Sequence, residues 1–273
     1  MRVCSFRQCL AGALFLILWS IGPSAFALSV KPAILDVEIQ PGERNTGVIT
    51  ITNTSSVEER FRASATHFRL TRDGQVQQAE PDSSSAAEWI KFNPKEFTLA
   101  PNSLQQVRYT LTAPPDAKIG DYWCVLEFLK LSSATVTAGD TSGGGVGVSI
   151  SVSTAVVVPV LVQVGKVDYK WSLLDLEANA DEEQPQVIIT LSNTANGRVP
   201  FTTEVDIING KGDVVAHQVK EIASLFPFSE RVVQLQIETE LEPGMYIARV
   251  RVNSEKAKSF VAGETDMTIP VKP

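Results

Sequence analysis

The sequence predicts an all-β protein built from two immunoglobulin-like β-sandwich domains that follow a signal peptide. Short apolar or alternating segments recur between turn dipeptides, and no window keeps a 3.6-residue apolar period. The dipeptides include Asp73-Gly74, Asn209-Gly210 and Pro243-Gly244. Glycine accepts positive φ and proline fixes φ, so these pairs favour turns between strands.

A weak internal repeat predicts that the fold occurs twice. Three motifs keep the same order in both halves of the chain: Ile49–Thr54 and Ile189–Thr194, Pro101–Ser103 and Pro227–Ser229, Gly120–Tyr122 and Gly244–Tyr246. We therefore expect one domain at residues 28–164 and a second at 165–273, with a hinge near Gly165. Each segment is long enough for its own hydrophobic core.

Residues 1–27 have the features of a secretory signal peptide. Arg2 and Arg7 precede the apolar run Leu10–Gly22, and Ala25-Phe26-Ala27 forms a cleavage site. The run is shorter than the roughly 20 residues that a membrane-spanning helix needs. We expect cleavage, a periplasmic product and no stable membrane insertion.

The charge balance argues against two classes of partner. The net charge is −7, and removing the two arginines of the signal peptide makes it −9. Nucleic acids and anionic membrane surfaces are bound by basic patches, so neither is expected as a partner.

Cys124 is the only cysteine beyond residue 27, which excludes an intrachain disulfide there. It is interpreted as a buried thiol, with a reactive thiol or an intermolecular disulfide as the alternatives.

The segment 132–164 closes the first predicted domain. Residues 132–147 are rich in Ser, Thr and Gly and predict a loop. From Val148 to Val164 every second residue except Thr154 is apolar, while serines occupy the first alternate positions. Such a strand either faces its own core or, at a sheet edge, pairs with a strand of a partner. Pro159 cannot donate to a ladder, which favours an edge or a bend.

The first domain resembles the periplasmic pilus-assembly chaperones of the PapD-like superfamily. The resemblance is carried by Trp89–Pro101, WIKFNPKEFTLAP, which leads into Gln105-Gln106-Val107-Arg108. The opening Leu28–Pro32, the strand ending at Thr54 and the closing strand also fit the pattern. The resemblance implies a non-enzymatic chaperone that lends its closing strand to an incomplete pilin-like subunit, and it implies these partner-binding residues: Lys31, Val148, Ile150, Val152, Val156 and Val158.

One departure from the family pattern affects the expected binding mode. Family members hold the subunit's terminal carboxylate with an Arg on the first strand and a Lys on the closing strand. Here Lys31 is the only basic residue in the segment 28–42, and residues 148–165 contain no Lys or Arg. A buried carboxylate without a charged partner is costly, so we expect a divergent member that does not hold a carboxylate in this way.

A second function class remains open. The segment Ala113–Tyr122 is similar to modules of Gram-positive surface proteins that bind peptidoglycan or neighbouring proteins. The alternative is therefore a secreted structural or adhesive immunoglobulin-like module without chaperone activity. Self-association through residues 148–158 is a further possibility.

Enzyme motifs are weak throughout the sequence. The two histidines, His67 and His217, fall in different predicted domains, and no nucleophile elbow, zinc motif or P-loop occurs. We expect no enzyme activity, no cofactor and no metal site.

Overall fold

The computed structural model describes residues 28–131, 134–138, 148–152, 154–180 and 184–271. These ranges form nineteen β-strands and no helix, and none of them contains a helix able to cross a membrane. The predicted signal peptide lies outside the described residues. The strands are β1 (Leu28–Lys31), β2 (Leu35–Ile39), β3 (Arg44–Asn53), β4 (Glu59–Leu70), β5 (Val76–Ala79), β6 (Ile90–Asn93), β7 (Glu96–Leu99), β8 (Leu104–Thr112), β9 (Gly120–Lys130), β10 (Ala134–Ala138), β11 (Val148–Val152), β12 (Ala155–Val164), β13 (Trp171–Asn179), β14 (Gln186–Asn193), β15 (Val199–Asn209), β16 (Val214–Leu225), β17 (Ser229–Gln236), β18 (Gly244–Ser254) and β19 (Ser259–Ile269).

The first sandwich is formed by two sheets. One has the order β1-β3-β8-β6, and the other has the order β2-β12-β9-β4-β5 with β7 also pairing with β4. Alternate residues of each strand point inward, so Ile49 and Ile51 of one sheet meet Leu126 and Phe128 of the other in one fully buried core. The opening strand is divided between the sheets, because β1 pairs with β3 whereas β2 runs parallel to β12.

The second sandwich has a separate core. Its sheets have the orders β13-β14-β17 and β16-β15-β18-β19. Ile189 and Leu191 of the first sheet pack with Val205, Val250 and Val252 of the second. Two immunoglobulin-like sandwiches are thus confirmed as the fold class.

The strand pairings also bear on the predicted domain limits. Every pairing between described strands joins two strands before residue 165 or two strands after residue 170. Gly165 adopts a φ of 67° at the point where the chain leaves the first sandwich. We propose that the domains divide there, at 28–164 and 165–273.

The three repeated motifs make the same hydrogen bonds in both sandwiches. Asn53 Nδ2 donates to the carbonyls of Val57, Leu99 and Ala100. Its counterpart Asn193 donates to the carbonyls of Gly197, Leu225 and Phe226. Each amide therefore satisfies buried carbonyls from two chain segments, which explains why this residue recurs.

The other two motifs are turns with matching bonds. Tyr122 Oη donates to the Lys118 carbonyl at 2.9 Å, and Tyr246 Oη donates to the Glu242 carbonyl at 2.8 Å. These are the tyrosine corners of immunoglobulin-like sandwiches. In the remaining motif, Asn102 and Phe228 both have positive φ, of 55° and 52°. Ser103 and Ser229 then donate their hydroxyls three residues back, at 2.7 and 2.8 Å.

Cys124 lies in the core of the first sandwich. Its side chain is fully buried in β9, and burial raises the pKa of the thiol to about 12. This agrees with the interpretation of a buried, unreactive thiol, because the thiolate is the nucleophilic form.

We predict that Asn53→Ala and Asn193→Ala each lower the free energy of unfolding by about 2–4 kcal/mol, because each leaves buried carbonyls without a donor. Urea denaturation followed by tryptophan fluorescence measures the change. Gln106→Ala is the control, since Gln106 is exposed on β8 and should change stability by less than about 0.5 kcal/mol. Equal effects in all three variants would contradict the assigned role.

Candidate functional site: the closing strand and the cleft between the domains

The closing segment of the first domain forms a hairpin that extends past the main sheet. β10 and β11 pair antiparallel with each other in a separate two-stranded sheet, with Val136 opposite Ile150. β10 lies within the segment that composition assigned to a loop. That assignment is therefore wrong for residues 134–138, where alternating Thr and Val suit a strand. The predicted partner-binding residues Val148, Ile150 and Val152 all lie on β11.

The main part of the closing segment, β12, has two halves with different neighbours. Residues 160–164 lie between β9 on one side and β2 on the other. Residues 155–159 pair with β9 alone among the described strands, so their second edge is open. Pro159 stands at the end of this open stretch, where a missing N–H donor is tolerated.

The apolar row passes from the protein's own core to its surface along this segment. Val158, Val160, Val162 and Val164 are fully buried in the first sandwich, whereas Val156 is only partly buried. Val158 is therefore a core residue in this structure and not a side chain that is free to enter a partner. The sequence could not separate these positions, because the alternation is the same for both.

Lys31 is exposed at the end of β1. It lies four residues before β2 begins its pairing with β12 at Leu35 and Val160. The structure thus places Lys31 where the opening strand changes sheets, and not on the cleft-facing side of β2. The charged residues on that side are Asp36 and Glu38, both exposed.

The cleft between the domains is organised by Arg198 of the second domain, which sequence reasoning missed. Its side chain is 6% exposed, and Nη2 lies 2.6 Å from Asp36 Oδ2. The Arg198 backbone N–H donates to the carboxylate of Asp121 on β9, and Nη1 donates to Ser224 Oγ at 2.6 Å. Burial raises the pKa of the Asp121 carboxyl, and the Arg198 N–H opposes this effect.

The turn before Arg198 fits closely against both the linker and the first domain. Asn196 Nδ2 donates to the Ile119 carbonyl at 2.9 Å, and the Asp121 N–H donates to the Asn196 carbonyl at 3.0 Å. A Cβ at Gly197 would lie 2.6 Å from the carbonyl oxygen of Asp168. Only glycine permits this approach, and the turn presents Arg198 to the first domain as a result.

A second contact between the domains is aromatic. The Phe226 ring lies edge-on to Trp123, with 4.7 Å between centroids, and it also contacts Phe68. Arg72 pairs with Glu230 at 3.0 Å beside these rings. A cavity of about 640 Å³ opens between the domains at this place, with Trp123 and Phe226 among its lining residues.

His67 is buried beneath this contact. Its ring stacks on Trp123, and Nε2 lies 3.3 Å from Asp82 Oδ1. Burial tends to raise the pKa of Asp82, but hydrogen bonds from Ser84 and Arg69 outweigh it and lower the pKa to about 2. His217 pairs with Asp206 on the second domain instead. The two histidines are not brought together, and no group of three or more His, Cys, Asp or Glu in the described ranges is placed to hold a metal.

We predict that Arg198→Met lowers the free energy of unfolding by about 2 kcal/mol, because it removes the buried guanidinium that pairs with Asp36 and donates to Ser224. Thermal and urea denaturation measure the loss. Arg249→Met is the matched control, since its ion pair with Glu264 is half exposed on both sides and is worth at most about 1 kcal/mol. A larger loss in the control would contradict the role given to Arg198.

No protein-family model matches the chain, and no curated protein sequence matches it. Among solved structures, the class 5 fimbriae chaperone CfaA is 10% identical, with a TM-score of 0.45, 90% of this chain covered and 100% of that one. The CupB2 chaperone of Pseudomonas aeruginosa is 16% identical, with a TM-score of 0.39 and coverages of 86% and 97%. The YadV chaperone is 7% identical, with a TM-score of 0.46 and coverages of 88% and 99%. The E. coli chaperone DraB is a further similar structure, with 11% identity and a TM-score of 0.42.

Proposed function

We propose that the protein is a periplasmic, non-enzymatic chaperone-like factor that binds pilin-like or other surface-fibre subunits through its closing strand. The signal peptide predicted at residues 1–27 would deliver it to the periplasm and then be removed. The bound subunit would be an incomplete immunoglobulin-like domain that pairs with the edge of residues 148–157.

One observation carries the proposal. The closing segment pairs with its own sandwich only from Ala155 onward, and the preceding strand, β11, pairs only with β10 among the described strands. The outer edges of both strands therefore have main-chain groups available for a further strand. Natural edge strands are commonly protected by charges or prolines, but residues 134–138 and 148–152 contain neither.

The alternating row gives this edge a second means of recognition. In an extended strand, Val148, Ile150 and Val152 share one face and Ser149 and Ser151 share the other. Each Val or Ile that becomes fully buried contributes roughly 1.5–3 kcal/mol. Three such side chains, together with a main-chain ladder, would hold a partner by strand addition, in which the ladder supplies affinity and the side chains supply specificity.

The limits of the docking segment follow from burial. Val158 is excluded because it is already part of the first core, and Val156 is retained because it is only partly buried. Lys31 remains a proposed contact, since it is exposed close to the point where β2 stops covering β12.

We predict that replacing Val148, Ile150 and Val152 together by Ser abolishes partner binding. The tagged chain from residue 28 onward is incubated with periplasmic extract of the source organism, and bound proteins are identified by mass spectrometry. The native protein should retain an immunoglobulin-like fibre subunit and suppress the aggregation of that subunit in isolation. The triple variant should retain at least about tenfold less, because loss of 1.4 kcal/mol alone gives that factor.

The matched control is the double variant Ser149→Ala and Ser151→Ala on the opposite face, which should bind as the native protein does. Circular dichroism establishes that each variant folds. Equal retention of the subunit by the native protein and a folded triple variant would refute strand donation. A triple variant that unfolds would instead assign the row to the protein's own core and favour the structural or adhesive module.

A further inference from the structure

A row of oxygen acceptors crosses the cleft-facing side of the first domain. Glu38 of β2, Gln163 of β12 and Asp121 of β9 are register partners on three adjacent strands. Partners in register point to the same face of a sheet, so the three side chains lie side by side. The chain neighbours of Glu38 and Gln163 are core valines and an isoleucine that face inward, which places the row on the outer face towards the second domain.

Part of this acidic surface is already neutralised by the protein itself. Arg198 pairs with Asp36 through its side chain and with Asp121 through its backbone N–H. Lys256 is close enough to lower the pKa of Asp121 as well. Neither Arg198 contact involves the side-chain oxygens of Glu38 or Gln163.

Glu38 and Gln163 have unused acceptor capacity. Glu38 is exposed and forms no ion pair or side-chain hydrogen bond with any residue in the described ranges. Gln163 is only 9% exposed, and its Nε2 donates to the Gly165 carbonyl at 3.2 Å. Its Oε1 is buried and accepts no hydrogen bond in the structure. A buried acceptor without a donor is destabilising, so a donor that reaches it is favoured.

We propose that the row formed by Glu38, Gln163 and Asp121 receives a lysine side chain of the bound subunit. The proposal rests on the proposed function, because it places this lysine beside the covered half of β12, whose other half belongs to the docking segment 148–157. The cleft would therefore anchor its partner by a positive charge, which is the opposite sign to the carboxylate that the family resemblance implies.

The chemistry of the row favours an ammonium over the other candidate groups. A carboxylate would face Glu38 and Asp36, while the nearby cations Arg198 and Lys256 already act on Asp36 and Asp121. An ammonium carries three donors on a flexible stem, so it can bond acceptors presented by separate strands. A guanidinium is planar and suits a bidentate carboxylate, whereas here the free acceptors come from two different side chains.

The test uses n-butylammonium as a mimic of the lysine side chain. Its titration into the ¹⁵N-labelled protein is followed by NMR at constant ionic strength, because exposed charges are screened by salt. We expect saturable shifts of the Gln163 side-chain amide and of the Glu38 and Asp121 backbone amides. Butyrate should produce none, and alaninamide, which offers an α-amine without the four-carbon stem, should bind more weakly.

Variants assign the binding to the row. Glu38→Gln should raise the Kd for butylammonium about fivefold, and Gln163→Leu about threefold, because each removes one acceptor. Glu240→Gln is the matched control, since it removes an exposed charge of the second domain and should leave the Kd unchanged. Glu38 is exposed, so its variant remains informative even where Gln163→Leu disturbs folding.

The outcomes separate this inference from the proposed function. Butylammonium should bind equally well to the triple serine variant of β11, which is defective only in strand donation. Shifts that do not saturate, shifts that are equal for butyrate, or a Kd that Glu38→Gln leaves unchanged would overturn the lysine site and leave strand donation untouched. Tighter binding of alaninamide would also overturn it, in favour of a terminal amine.

Discussion

The structure depends on the unequal pairing of one strand. β12 lies between β9 and β2 over residues 160–164 but has β9 alone beside it over residues 155–159. The covered half supplies three buried valines to the first core, so the strand cannot be removed without loss of the sandwich. Rigid anchoring of one half holds the open half and the β10–β11 hairpin in an extended form. A preorganised strand loses less conformational entropy when a partner pairs with it.

The second domain contributes to this arrangement by closing one end of the cleft. Arg198 reaches across to Asp36 and Asp121, while Phe226 packs on Trp123 two residues further along β9. Two contacts of different kinds, one ionic and one aromatic, fix the orientation of the domains more firmly than either alone. The cleft-facing side of β2, β12 and β9 is consequently presented at a fixed angle to whatever lies along the docking strand.

Much of the fold is predictable from the sequence because its determinants are local. The turn dipeptides, the alternating strands and the three repeated motifs each act within a few residues, and the repeats make equivalent hydrogen bonds in both domains. The site is less predictable because it depends on contacts between distant residues. Asp36 and Arg198 are 162 positions apart, and neither belongs to a recognisable motif. The limit between Val156 and Val158 is equally invisible, since the alternation is the same at both positions and only packing into the first core separates them. The one sequence signal for a negatively charged cleft is the pair of acidic residues on β2, Asp36 and Glu38.

We propose residues 148–157 as the docking strand. Hydrogen exchange measured by mass spectrometry, on the free protein and on its complex with the co-purified subunit, tests this assignment. We predict that amides of residues 148–157 exchange rapidly in the free protein and become protected in the complex, while residues 160–164 are protected in both. Protection of another surface, such as the β16-β15-β18-β19 sheet, with residues 148–157 unchanged, would contradict the claim.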